Sequence, residues 1–265
     1  MQQTFRQKAI LQLEEAKKKE LTLSSYYQLY QDLLQIQEEV AGNITTSLDL
    51  VDEGVMNDHL HSGKPQLSFA HLSIDPHLFE DQVHRILTLL LVYQGEEVDI
   101  PVLKENDLIE KAQQCFQETQ SIEEDDLLQL AIEQALMPYL EHVARQVIPH
   151  LDTKKWLRGS CPCCGGDSNF AYLDAEGTRI LVCSRCRYQW RYRRTGCPYC
   201  NNTDPKTIRF YPAGEKKSHR LYVCDNCKRY LKAVDQRVAG TAVDLMAEQI
   251  LTWSLDRLAR EKGYQ

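Results

Sequence analysis

Apolar positions in the first 150 residues recur at helical spacing. Arg6 to Glu20 reads as a charged amphipathic helix. Ser24 or Ser25 is placed to cap a second helix, which carries Tyr26, Tyr27, Tyr30, Leu33, Leu34 and Val40 and ends at Gly42. Residues 43–72, with Gly54, Gly63 and Pro65, read as irregular. Asp75-Pro76 is a helix start, an N-cap followed by proline at the first helical position. Leu78, Phe79, Val83, Ile86, Leu87, Leu90 and Leu91 give that helix a buried face, and Gly95 ends it. Leu103 to Gln117 is a shorter helix. Ser121-x-x-Glu124 is a capping box opening a long helix, expected to kink at Pro138 and stop at Pro149.

Beyond Trp156 the period changes to two. N-F-A-Y-L and T-R-I-L-V flank a turn at Asp174–Gly177, and Y-Q-W-R-Y-R-R follows. T-I-R-F-Y and H-R-L-Y-V flank a turn at Gly214, and Y-L-K-A-V follows. Helical spacing returns at Val243, Leu245, Met246, Ile250, Leu251, Leu255 and Leu258, which predicts one final helix. The expected class is α+β. The expected domains are 1–152, helical; 153–194 and 195–238, two small strand modules; and 239–265, a C-terminal helix packing on the rest.

The cysteines explain the two modules. Eight of the ten form Cys-x-x-Cys pairs: Cys161/Cys164, Cys183/Cys186, Cys197/Cys200 and Cys224/Cys227. Pairs one and two are 18 residues apart, and pairs three and four 23. That is the spacing of a four-thiolate metal site, written twice. Each tight turn aims two sulfurs at one point, and a hairpin returns the second turn to complete a tetrahedron. The ligand sets expected are therefore Cys161, Cys164, Cys183, Cys186 and Cys197, Cys200, Cys224, Cys227. Four thiolates leave no open coordination position, and zinc or iron fits equally. Gly165 and Asn201 stand where a knuckle tolerates a left-handed backbone. Cys163 is expected to compete with Cys164 or to lie exposed, and Cys115 to be a buried small residue.

Disulfides need an oxidising compartment, and the N-terminus M-Q-Q-T-F-R-Q-K-A-I-L-Q-L-E-E has no apolar signal core. Reduced thiols point to the cytoplasm. The longest apolar run, I-L-T-L-L-L-V-Y at 86–93, is too short to span a membrane. Residues 1–150 hold 10 Lys+Arg and 26 Asp+Glu, net −16; residues 151–265 hold 21 and 12, net +9. Eight thiolates around two divalent ions lower the second figure to +5.

Motifs of catalysis are missing: no Gly-rich phosphate loop, His-Glu-x-x-His or Gly-x-Ser-x-Gly occurs. His219 reads as a strand histidine, not a ligand. Asp58, His59 and His61 read as a solvated cluster. The acidic run 123–126 suits the positive end of a helix. The sharpest surface candidate is Tyr188, Trp190, Arg191, Tyr192, Arg193 and Arg194. Two readings stand side by side: a partner-binding face, or aromatics that pack the small module while arginines stay solvated.

W-L-R-G-S-C-P-C-C-G at 156–165, L-V-C-S-R-C with Trp190, C-P-Y-C, and Y-V-C-D-N-C-K-R-Y-L-K at 222–232 resemble the formate dehydrogenase accessory protein family, FdhE. L-D-R-L-A-R-E-K-G-Y at 255–264 extends the likeness. Y-Y-Q-L-Y-Q-D-L-L-Q-I-Q-E at 26–38 and G-K-P-Q-L at 63–67 echo it more weakly. Cys163 and the arginines around Trp190 depart from the pattern. The resemblance implies a helical domain and two rubredoxin-like modules. It also implies a non-enzymatic, cytoplasmic chaperone that binds the catalytic subunit of formate dehydrogenase during maturation. Other classes remain open at this point. One is a zinc-ribbon nucleic-acid binder, which the sequence pI of 5.7 disfavours. Another is a rubredoxin-like redox protein. Oligomeric state, a dimer included, is left open.

Overall fold

The computed structural model describes residues 3–49, 52–96, 105–117, 126–214, 217–240 and 243–265. Two compact units result, Met1–Asp49 with Leu67–Gln146, and Leu50–Gln66 with Val147–Gln265. The cysteine-bearing unit thus includes a segment taken from the middle of the helical half.

The first unit is a stack of helices: α1 (Phe5–Lys19), α2 (Ser24–Asn43), α4 (Pro76–Gln94), α5 (Glu105–Gln117) and α6 (Leu127–Val147). The starts and stops follow local chemistry. Thr4 and Gln7 close a reciprocal capping box on α1. Asp75 Oδ1 accepts from Leu78 N at 3.1 Å, Pro76 is the first residue of α4, and Gly95 ends it at φ 77°. Phe79, Val83, Ile86 and Leu87 are buried as their spacing predicts. Arg6, 1% exposed, pairs with the equally buried Glu141 and ties α1 to α6. Pro138 stands inside α6. The Ser121/Glu124 box and the run 123–125 lie outside the described residues. Neither Ser24 nor Ser25 caps α2. That helix follows a 3-10 turn at Leu21–Leu23, with Leu23 in the cap position and no side-chain bond.

Residues 43–72 are not irregular throughout. They contain α3 (Glu53–Ser62) and a 3-10 turn at Phe69–Leu72. Asp52 Oδ1 caps α3 through Gly54 N at 2.7 Å, and Gly63 ends it at φ 77°. Only Met56 of α3 is buried, so no apolar stripe announces the helix.

The second unit is built on one six-stranded sheet of order β3-β2-β1-β6-β5-β4. Its strands are β1 (Ser168–Leu173), β2 (Arg179–Cys183), β3 (Gln189–Tyr192), β4 (Ile208–Ala213), β5 (His219–Cys224) and β6 (Tyr230–Asp235). Each module supplies a three-stranded antiparallel meander. The two join where β1 runs parallel to β6, Ala171 beside Ala233 and Tyr172 beside Val234. The predicted final helix is two, α8 (Leu245–Leu251) and α9 (Trp253–Glu261), separated at Thr252; a short α7 (Gln236–Ala239) precedes them. Leu255, Ala259 and Tyr264 pack on Leu221 and Val223 of β5, while Val243 and Leu245 cover Phe170, Val182 and Val234. Among the described residues no helix is long and apolar enough to cross a membrane.

Candidate metal centres

The four knuckles share one backbone conformation, and in three of them the same hydrogen bond closes the turn. A backbone N–H four residues on closes the turn on the first cysteine's carbonyl: Gly165 on Cys161 at 2.9 Å, Asn201 on Cys197 at 3.0 Å, Lys228 on Cys224 at 2.9 Å. The residue at that fourth position is left-handed every time, at φ 79° for Gly165, 61° for Arg187, 56° for Asn201 and 59° for Lys228. Sequence reasoning finds Gly165 and Asn201, which favour this region. It misses Arg187 and Lys228, where the turn imposes a conformation costing an ordinary L-residue about 1–2 kcal/mol.

The knuckles meet as the spacing predicts. Cys161, Cys164, Cys183 and Cys186 form one group and Cys197, Cys200, Cys224 and Cys227 the other, their sulfurs all within 4.8 Å of one another. Cys161 to Cys186 is 3.6 Å, Cys164 to Cys183 3.5 Å, Cys197 to Cys227 3.5 Å and Cys200 to Cys224 3.7 Å. These are far beyond a disulfide bond. Sulfurs bound at about 2.3 Å in a tetrahedron stand about 3.8 Å apart, so the donor set fits such an ion without rearrangement. Each group can hold one metal ion, and the geometry accepts zinc or iron.

The electrostatics favour the same occupant. Burial raises the thiols of Cys161 and Cys197 far above an ordinary cysteine. Burial also opposes ionisation of Cys183, yet hydrogen bonds from Cys161, Cys164 and Cys186 hold it well below. At Cys200 burial is outweighed by the Asn226 amide, 3.5 Å from the sulfur, and by the Asn202 backbone, which bring it down to about 7. In each group one sulfur is thus held lower than its neighbours, and protons leave the thiols as a cation enters. The two groups differ in cover. The first is at most 3% exposed at any cysteine, whereas Cys200 and Cys227 are half-buried.

Several supports carry no local sequence signal. Gln66, just beyond α3, donates its backbone N–H toward the carbonyls of Pro162 and Cys163 in the first knuckle. Gly159 packs so closely on the third knuckle that a Cβ there would stand 1.7 Å from Pro198 O. The Tyr199 hydroxyl, inside the third knuckle, reaches Ser168 O at 2.9 Å and Tyr230 O at 3.0 Å, bridging the parallel strands; burial raises its pKa.

Other candidates fall elsewhere. Cys163 is 0% exposed, which corrects the expectation of an exposed thiol, and it belongs to neither sulfur group. Cys115 is buried as expected. His219 pairs with Glu248 at 2.7 Å and stands outside both groups. His59 and His61 ride on α3, where His61 Nδ1 contacts Asn57 O. Trp190 and Tyr192, each 2% exposed, face the interior. Trp190 Nε1 donates to Arg158 O at 3.0 Å and Tyr192 Oη to Cys197 O at 3.0 Å. They therefore form core and not the centre of a contact face. Tyr188 is half-buried and stacks on Trp190, and Arg191, Arg193 and Arg194 are exposed.

No protein-family model matches the chain. The Protein FdhE homolog of Aquifex aeolicus (strain VF5) is 26% identical over 241 residues, covering 88% of this chain and 82% of that protein. The Protein FdhE homolog of Stutzerimonas stutzeri (strain A1501) is 32% identical over 108 residues, 39% of this chain and 35% of that one. The crystal structure of the FdhE protein from Pseudomonas aeruginosa has the same fold, with a TM-score of 0.64 at 21% identity, covering 98% of this chain and 92% of that one. The likeness read from the knuckles thus extends along the chain in sequence and in fold, and the family this protein resembles is FdhE.

Proposed function

We propose that this chain is an accessory protein for maturation of formate dehydrogenase, acting in the cytoplasm as a binding protein for the enzyme's catalytic subunit and not as a catalyst. The observation that carries this reading is the similarity to an FdhE homolog over 88% of the chain. The architecture supports it. Both candidate metal centres are closed sets of four sulfurs, and the described residues offer no third cluster of metal-ligating side chains.

On this reading Cys161, Cys164, Cys183 and Cys186 hold one metal ion and Cys197, Cys200, Cys224 and Cys227 the other. Zinc or iron so held supplies a cross-link that makes a small strand module rigid. The client is met by exposed groups: Arg191, Arg193 and Arg194 on the rim, with Trp190 and Tyr192 behind them as the packing that fixes the strand. A tagged chain expressed in its native cell should capture the catalytic subunit, identified by mass spectrometry. A strain lacking the gene should lose formate dehydrogenase activity and regain it with the wild-type chain. Full activity in the deletion strain would end the proposal.

A further inference from the structure

β3 is an outer strand of the sheet, paired on one side with β2 and, among the described residues, with no strand on the other. Its register sets Val182 against Gln189, Leu181 against Trp190 and Ile180 against Arg191. Cys183 N donates to Tyr188 O at 2.9 Å, so the ladder turns the peptide groups of Tyr188, Trp190 and Tyr192 toward β2. Those of Gln189 and Arg191 therefore point outward from the sheet edge. Arg193 continues the same phase. The side chains of these three residues are exposed, while Trp190 and Tyr192 are buried and hold the strand in place.

We infer that β3 is a docking edge for an extended acidic segment of a partner protein, which adds to the sheet as a further strand. A strand laid along this edge finds backbone donors and acceptors at Gln189 and Arg191. Every second side chain of that strand stands beside Gln189, Arg191 or Arg193, and carboxylates complement the two guanidinium groups. A second copy of this chain is a poor occupant, because antiparallel pairing of two β3 edges sets arginine against arginine. The opposite edge does not compete. β4 contains Pro212, which has no N–H to give, and its exposed Phe210 lies under the Arg220 guanidinium at 5.1 Å.

The test uses the full chain and two blocked heptapeptides, one alternating Glu and Val, the other Lys and Val, titrated by fluorescence anisotropy at low salt. The Glu peptide should bind at least tenfold tighter than the Lys peptide. Gln189→Pro keeps every arginine and removes one outward N–H, and it should weaken binding at least tenfold, as should Arg191→Glu/Arg193→Glu. In the wild type, hydrogen exchange at the Gln189 and Arg191 amides should slow when the Glu peptide binds, with Trp190 unchanged. This last measurement decides the matter if Gln189→Pro unfolds. Equal binding of the two peptides, or tight binding without protection of those two amides, overturns strand addition. Formate dehydrogenase takes no part in the assay, so failure here leaves the accessory role standing.

Discussion

Gln66 donates its backbone N–H to the carbonyl of Cys163 at 3.0 Å and lies 3.2 Å from that of Pro162. Its side-chain amide donates to Met56 O of α3 at 3.2 Å. The segment after α3 thus buttresses the first knuckle. Gln66→Pro removes the donor and leaves two buried carbonyls short of a partner, at a cost of about 1–3 kcal/mol. The variant should lose metal from the first group faster than the wild type does, with a smaller change at the second group, in a chelator-competition assay. Equal release rates would show that the knuckle stands without the buttress.

Cys163 and Cys164 are neighbours in sequence and both buried, yet only Cys164 shares the sulfur tetrahedron. Cys164→Ser should cost one equivalent of metal by atomic emission and unfold the first module, because structural zinc contributes about 10 kcal/mol or more. Cys163→Ser should keep both equivalents. Equal metal loss in the two variants would assign the ligand to the wrong sulfur.

Lys228 holds φ 59° with only an exposed side chain to occupy it. Its contacts with Asp225, at 3.9 Å, and with the Tyr264 ring, at 5.8 Å from the centroid, are long and made by an exposed side chain, so they are worth little. Lys228→Gly should relieve the backbone and raise stability by up to about 1 kcal/mol, after the greater freedom of glycine in the unfolded chain is subtracted. Gly159→Ala should act the other way. Its Cβ would meet the Pro198 carbonyl, and the backbone shift should cost about 1–3 kcal/mol. Thermal unfolding of the two variants beside the wild type reads both signs.

The half-buried Cys200 and Cys227 give attacking ligands a route to the second group that the first group lacks. Chelator should therefore remove one equivalent of metal quickly and one slowly. Cys200→Ser should abolish the fast phase. A single phase releasing both equivalents would mean that cover does not control exchange.

How far the sequence goes differs by element. The knuckles and strands are legible because each is fixed by neighbours a few residues away. The start and stop of α4 are legible for the same reason, with Asp75, Pro76 and Gly95 as local signs. Helix α3 is hidden because it buries one residue and draws its support from caps and its loop on the first knuckle. The parallel pairing of β1 with β6 is hidden because register between distant strands leaves no mark on either. Alternation in Y-Q-W-R-Y-R separates two faces of β3 but cannot say which turns inward. The structure buries Trp190 and Tyr192, since a small module has few other large apolar groups to fill it.

The parallel seam between β1 and β6 gives the two centres a shared thermodynamic fate. An ion entering one group should order its own meander and, through the seam, the one strand of the neighbour that lies against it. The second ion then finds part of its ordering entropy already spent. Titration of the metal-free chain should be sigmoidal, and the affinity each ion confers on the other must be equal in both directions.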